Sequence, residues 1–311
     1  MNILTDTDAN GPRDVLSPVA TSIFNAYLQA HLSPPEGFRQ SSEIINEDVE
    51  SEDENDAVLF RDQLQAIGVF GRFILQHSIP VLSNLLSFKC QAFQTQVERV
   101  AGQTAGRDSL DLLNEDLHWI LLISGELFSI WLKDQFFLLR NIAGHTLAFD
   151  GLGETNLIPS EIIEASSRNT TASAEVSVMA IQNAFQLLPI PDSNEVDPVV
   201  GLVCRVISLA EMERRVMESN LGELLSPEVA SNVLWFLHRW AQSFFIMNEE
   251  YNSFVSPCFI ASWGINSPTS AVAQTALFRR IREDLTRFSS ETDVIKEAIN
   301  LLLALVDSSK K

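Results

Sequence analysis

Cationic side chains are scarce in this chain: 21 Lys and Arg stand against 41 Asp and Glu, a formal net charge of −20. Nucleic-acid backbones are gripped by clustered Lys and Arg, so this balance excludes a nucleic-acid partner and favours a basic protein surface. Cysteine is nearly absent. Cys90, Cys204 and Cys258 are odd in number and far apart, which argues against a disulfide framework and fits the reduced thiols of the cytosol or nucleus. Glycine and proline, 13 and 12 residues of 311, are too few for a collagen-like or low-complexity chain and suit helices. A clean apolar run is also lacking. The longest, Leu117 to Leu132, contains His118 and Glu126 and is followed by Lys133 and Asp134. It falls short of the about 20 residues that span a bilayer, so it is expected to be a buried helix, with no membrane insertion. Residues Met1 to Asn10 are polar and acidic where a secretory leader would have a positive end and an apolar core.

Catalytic patterns are missing too. There is no nucleophile elbow, phosphate-binding loop, dinucleotide fingerprint or paired-cysteine motif, so hydrolase, NTPase and oxidoreductase chemistry have no anchor. His31, His77, His118, His145 and His238 are scattered, none with a second ligand at zinc spacing. His118, beside Trp119 and downstream of Glu115 and Asp116, is the most suggestive as a general base. Leu117, Ile120 and Leu121 continue a helix through it, so it reads as a hydrogen-bonded histidine at a helix interface. No catalytic residue, cofactor or metal is expected, and the chain is not read as an enzyme.

What the sequence does contain is helix after helix. The apolar period predicts helices at 18–32, 57–77, 80–102, 110–130, 173–187, 196–217, 227–247, 268–288 and 291–307. Ser17-Pro18, Ser226-Pro227 and Ser267-Pro268 each offer a side-chain oxygen at the N-cap and a proline at the first helical position. The β-branched start of 196–217 leaves a strand open there, although Val199, Val203, Val206, Ile207 and Ala210 keep helical spacing. No strand–helix alternation is seen. Pairs beginning near residues 57, 110, 173 and 227 suggest antiparallel hairpins stacked into an all-α solenoid, spaced more irregularly than simple HEAT repeats of ~40–47 residues. Residues 1–16 are expected to be disordered and 17–311 to form the solenoid.

One segment stands apart by charge. Glu43, Glu47, Asp48, Glu50, Glu52, Asp53, Glu54 and Asp56 lie together with no base among them, which marks 40–56 as an acidic loop. It reads either as a solvated linker or as a lure for a basic partner. Trp240 falls on the apolar stripe of its helix, whereas Trp235, one step off it, is the candidate surface anchor.

Two islands, Glu115-Asp116-Leu117-His118-Trp119 and Gly153-Glu154-Thr155-Asn156-Leu157-Ile158-Pro159, resemble the middle of the exportins, nuclear export receptors of the importin-β (karyopherin) superfamily. Further blocks follow in the same order: Ala26-Tyr27, His31-Leu32, Pro35, Gly37 and Arg39; Phe60, Asp62-Gln63-Leu64, Gly68, Gly71-Arg72, His77 and Ile79-Pro80; then Leu225-Ser226-Pro227, Trp235-Phe236-Leu237 and Arg239-Trp240-Ala241. Matches in fixed order are much harder to obtain by chance than any one of them. Against the family pattern, Ser124-Gly125 joins directly to His145-Thr146, so residues 126–144 look like an insertion.

The resemblance implies a HEAT-like, armadillo-type superhelix that binds protein cargo and exports it with Ran-GTP through the nuclear pore, shuttling between nucleus and cytoplasm. It further implies cargo of the translation factor 5A or Smad kind and contacts with nuclear pore proteins. It covers an interior part of the family's length, without the amino-terminal repeats that supply the main Ran contacts. Glu115 and Asp116, with the acidic loop, are the candidate contacts for a cationic cargo. The rival readings are a standalone helical scaffold or adaptor, and a truncated, non-functional exportin product.

Overall fold

The computed structural model describes residues 11–39, 56–128, 160–168, 171–191, 194–245 and 256–308. Its helices are α1 (Gly11–His31), α2 (Asp56–Leu59), α3 (Arg61–Phe73), α4 (Leu75–Ala101), α5 (Asp108–Leu127), α6 (Ser160–Arg168), α7 (Ala174–Gln186), α8 (Pro198–Glu218), α9 (Pro227–Phe244), α10 (Pro257–Trp263), α11 (Pro268–Arg287) and α12 (Thr292–Ser308). No strand occurs among the described residues. The helices stack as an α-solenoid. α3, α5, α9 and α12 lie side by side in one row. α4 and α8 adjoin in a second row and pair back onto α5 and α9; α1 packs on α3 at one end, and α11 closes a hairpin with α12 at the other.

Composition explains the order of the rows. From Asp116 to Phe128 every residue of α5 and its cap is buried. A helix that is apolar all round must have neighbours all round, and α3, α4 and α9 supply them. Among the described residues no single helix is long and apolar enough to cross a membrane. Gly125 lets α9 approach closely, because a Cβ there would fall 2.0 Å from the Trp235 ring. Phe128 then meets Phe236 edge-on at 5.2 Å. The three cysteines are free and buried, and burial pushes the thiols of Cys90 on α4 and Cys204 on α8 up to about 12.

Helix ends follow local chemistry, with instructive departures. The Ser226 hydroxyl caps α9 by accepting from the Val229 amide at 3.4 Å, with Pro227 at the first position. At the start of α11 the Ser267 hydroxyl donates to the Ala261 carbonyl instead of capping. Ser17-Pro18 starts nothing: α1 already begins at Gly11, inside the stretch expected to be disordered to residue 16, and Pro18 lies within it. The break expected near residue 79 comes earlier. The chain bends by 115° between α3 and α4 at Ile74, and Pro80 sits inside α4 on its exposed side. The strand alternative at 196–217 gives way to α8, capped by Asp197, whose carboxylate accepts from the Val199 and Val200 amides at 2.9 and 3.2 Å. Of the suspected insertion, residues 126–128 are continuous with α5 and its core. The Glu126 carbonyl accepts from Arg72 Nη1 at 2.6 Å, and Leu127 and Phe128 are buried. Residues 129–144 lie outside the described residues.

One buried charge network ties α8 to α11. The Arg280 guanidinium meets Asp284 at 2.5 Å, Glu213 at 2.8 Å and the Ala210 carbonyl at 2.8 Å. Two sequestered carboxylates share one base, so burial outweighs the attraction of Arg280 and pushes Glu213 up to about 7. Asp284 is raised for the same reason. A carboxyl whose folded pKa is raised gives stability that is present below its unfolded value of 4.5 and is lost as pH climbs through about 7.

Two measurements check this packing. Gly125→Ala is expected to destabilise by about 1–3 kcal/mol in urea unfolding through overpacking against Trp235. Gly106→Ala, whose Cβ would meet nothing within 4 Å, should stay within about 0.5 kcal/mol. The parent chain should lose stability between pH 4.5 and about 7, and Glu213→Gln should flatten that fall; an unchanged slope would contradict the network.

Candidate functional site

Acids gather where the turn after α1, the start of α2 and the first half of α5 meet. The turn is locked by Gly37, whose amide donates to the Ser33 carbonyl at 3.0 Å, while the Phe38 and Arg39 amides close the helix end on Gln29 and Leu32 at 2.9 Å. A side chain at Gly37 would strike the Leu32 carbonyl oxygen at 2.2 Å. The turn thereby delivers Ser33 and Arg39 to Asp116, which is buried. Asp116 accepts from the Ser33 amide (2.8 Å), the Ser33 hydroxyl (2.5 Å), Arg39 Nη2 (2.8 Å) and Lys89 Nζ of α4 (2.9 Å).

A second ring of contacts surrounds this carboxylate. Lys89 also donates to Glu36 at 2.8 Å. Burial pulls its pKa down, but the two carboxylates more than offset that and hold it above the ordinary lysine value. Arg39 Nη1 pairs with Glu115 at 2.8 Å, and the Trp119 indole N–H donates to the same Glu115 oxygen at 2.8 Å. His31 stacks on Trp119 with ring centroids 3.7 Å apart. Burial, followed by the Arg39 charge, pushes the His31 imidazole down to about 4, so a neutral ring lies on the indole at neutral pH.

His118, on the next face of α5, is buried and bridges three helices. Its Nε2 lies 3.2 Å from Asp56 of α2; its Nδ1 lies 2.6 Å from the Asn232 amide nitrogen and 3.2 Å from Glu228, both of α9. This is the interface histidine that the sequence implied. Asp56, His118 and Glu228 offer ligand atoms within 4.8 Å of one another and are the described groups best placed to hold a cation. The Asn232 amide is the donor to Nδ1, which leaves Nε2 to donate to Asp56, the geometry of a hydrogen-bonded histidine between helices.

The sequence candidates fare differently. Asp116 is enclosed and paired with Arg39 and Lys89, an internal tie between the turn after α1, α4 and α5. Trp235 is half-buried, wedged on Gly125 with the Arg239 guanidinium 5.4 Å from its ring centre, and so is an internal contact between α5 and α9. Glu115 of α5 and Asp56 of α2, the latter against His118 of α5, each keep part of their surface in water. Glu43, Glu47, Asp48, Glu50, Glu52, Asp53 and Glu54 lie outside the described residues. Sequence reasoning missed Glu36, Lys89, Glu228 and Asn232. Lys89 carried a signal: it is a lone base in the apolar run Leu85 to Phe93 and so demands a buried acid. Around the node, Glu36, Asp56, Glu115 and Glu228 form an acidic rim.

Removing the central acid leaves Arg39 with Glu115 alone and Lys89 with Glu36 alone, both partly exposed partners. Asp116→Ala is expected to cost about 3–5 kcal/mol in urea unfolding, whereas Glu115→Gln, on the rim, should cost about 1 kcal/mol or less.

Over 299 residues, 93% of this chain, the sequence is 24% identical to Exportin-4 of Dictyostelium discoideum, and it spans 22% of that protein's length. No protein-family model matches the chain.

Proposed function

We propose that this chain is a cargo-binding segment of a karyopherin-like nuclear export receptor. The observation that carries the reading is similarity to Exportin-4 along 93% of a chain that is itself a helical solenoid. A stack of hairpins suits transport because small rotations between neighbours add up to a large change of curvature. Two ligands that favour the same curvature then raise each other's affinity, which is what export with Ran-GTP demands. The receptor shuttles between nucleus and cytoplasm through contacts with nuclear pore proteins. Ran binding belongs to the complete receptor, of whose relative this chain spans about a fifth.

Cargo of the translation factor 5A or Smad kind approaches by charge. With a net charge of −20, the chain steers a basic surface towards itself. Asp56 and Glu115 of the rim, together with Glu43, Glu47, Asp48, Glu50, Glu52, Asp53 and Glu54, are the groups that meet it. The chemistry is binding, with no bond made or broken.

The test compares the parent chain with a variant carrying amides in place of those seven acids and Asp56, in a titration with translation factor 5A at several salt concentrations. Binding should weaken about tenfold at low salt and lose most of its salt dependence, with helicity unchanged. In the complete receptor Ran-GTP should tighten cargo binding, and cargo should tighten Ran-GTP binding by the same factor. No mutual gain there, with cargo affinity indifferent to the amides, would replace the export reading with that of a helical scaffold.

A further inference from the structure

Three side chains that stand far apart in the sequence meet in the interior of the stack, where α2, α5 and α9 adjoin. Asp56 Oδ2 lies 3.2 Å from His118 Nε2, and Glu228 Oε1 lies 3.2 Å from His118 Nδ1. One oxygen or nitrogen from each of the three falls within 4.8 Å of the other two. The rim acids Glu36 and Glu115 each have a base, Lys89 and Arg39. Asp56 and Glu228 have none: among the described residues neither forms an ion pair with Lys or Arg. The ring between them accepts from Asn232 at Nδ1 and brings no positive charge. Two carboxylates held this close repel each other, and a shared cation relieves them.

We propose that Asp56, His118 and Glu228 bind one zinc ion, with water as the fourth ligand. Ligands at 2.0–2.1 Å around a tetrahedral zinc stand about 3.3 Å apart. The 3.2 Å between Asp56 Oδ2 and His118 Nε2 therefore suits an ion joining them as well as it suits a hydrogen bond. Half of the Glu228 side chain is in water, so its carboxylate is free to swing onto the same ion. That exposure, with 31% at Asp56, supplies an entry path and room for the water. Zinc takes the lone pair of Nε2, and the single ring proton moves to Nδ1. Asn232 meets this change by turning its amide: Nδ2 donates to the metal-free ring, and Oδ1 accepts from Nδ1–H in the loaded one, across the same 2.6 Å. No proton leaves the ring, and two carboxylates balance one dication. One imidazole with two carboxylates suits zinc, whereas magnesium and calcium take oxygen ligands. Loading ties α2 to α9 across α5, so metal affinity adds to the stability of the junction. The site stands whether or not the chain carries cargo.

Calorimetric titration of the chelator-stripped full chain with zinc chloride, alongside thermal unfolding, tests this. One zinc should bind per chain and raise Tm, whereas magnesium chloride at equal concentration should not. Glu228→Gln and Asp56→Asn each alter a partly exposed acid with no Lys or Arg partner, so helicity should be kept while zinc affinity falls at least tenfold. Glu52→Gln, in the acidic stretch outside the site, should bind zinc as the parent does. Ring nitrogen resonances of His118 should show the proton on Nε2 without metal and on Nδ1 with zinc bound. No zinc binding, or equal stabilisation by magnesium, overturns the proposal. So does zinc affinity indifferent to Glu228→Gln and Asp56→Asn, which would assign the ion to other acids or to the thiols, and so does a ring that keeps its Nε2 proton when zinc is bound.

Discussion

The solenoid depends on a helix with no side facing water. Between Asp116 and Phe128, α5 is enclosed, and burial of this largely apolar segment is the driving force that α3, α4 and α9 answer. Enclosure imposes a condition on the polar groups that α5 carries. Asp116 must find bases, His118 must find partners for both nitrogens, and Glu126 must share its carbonyl. Each is satisfied from a different neighbour: the turn after α1 with α4, then α2 with α9, then α3. Apolar burial supplies attraction without direction, and the three polar contacts fix which element lies where. Buried ion pairs add little net stability against an apolar alternative, so their role here is to set register.

The same logic separates acids that shape the fold from acids that meet the world. In a chain this negative, every base that is buried becomes a structural element: Arg39, Lys89, Arg72 and Arg280 each sit between helices. Asp56 and Glu228, which pair with none of these bases, keep their place at the rim. Its negative potential follows from the excess of 41 acids over 21 bases in the chain.

Much of this was legible in the sequence. The all-helical class, nine of the helices and the burial of the Leu117 tract as far as Phe128 followed from apolar spacing, because amphipathic helices write their burial into the chain. Helices α6 and α10 escape the apolar period, although α10 carries a start signal. Asp197-Pro198 and Ser256-Pro257 cap α8 and α10 just as Ser226-Pro227 caps α9, but α10 is too short for its period to register. α6 has only nine residues and no such signal. The site was harder to read. Glu115-Asp116 looked like a pair of equals, yet adjacent helix positions point about 100° apart, so one is enclosed and the other rests at the surface. Trp235 lay one step from the stripe and was assigned outward; the missing side chain of Gly125 on a different helix draws it in. Neither fact is local, and a single sequence holds no record of which glycine faces which ring.

Cys90 and Cys204 stand on α4 and α8, the pair that joins the two halves of the second row. Their thiols are held far from ionisation, so they are chemically silent while the row is closed. With Cys258 replaced by serine, alkylating reagents therefore count only molecules whose halves have parted, and the rate of that labelling is a clock for the breathing of the superhelix.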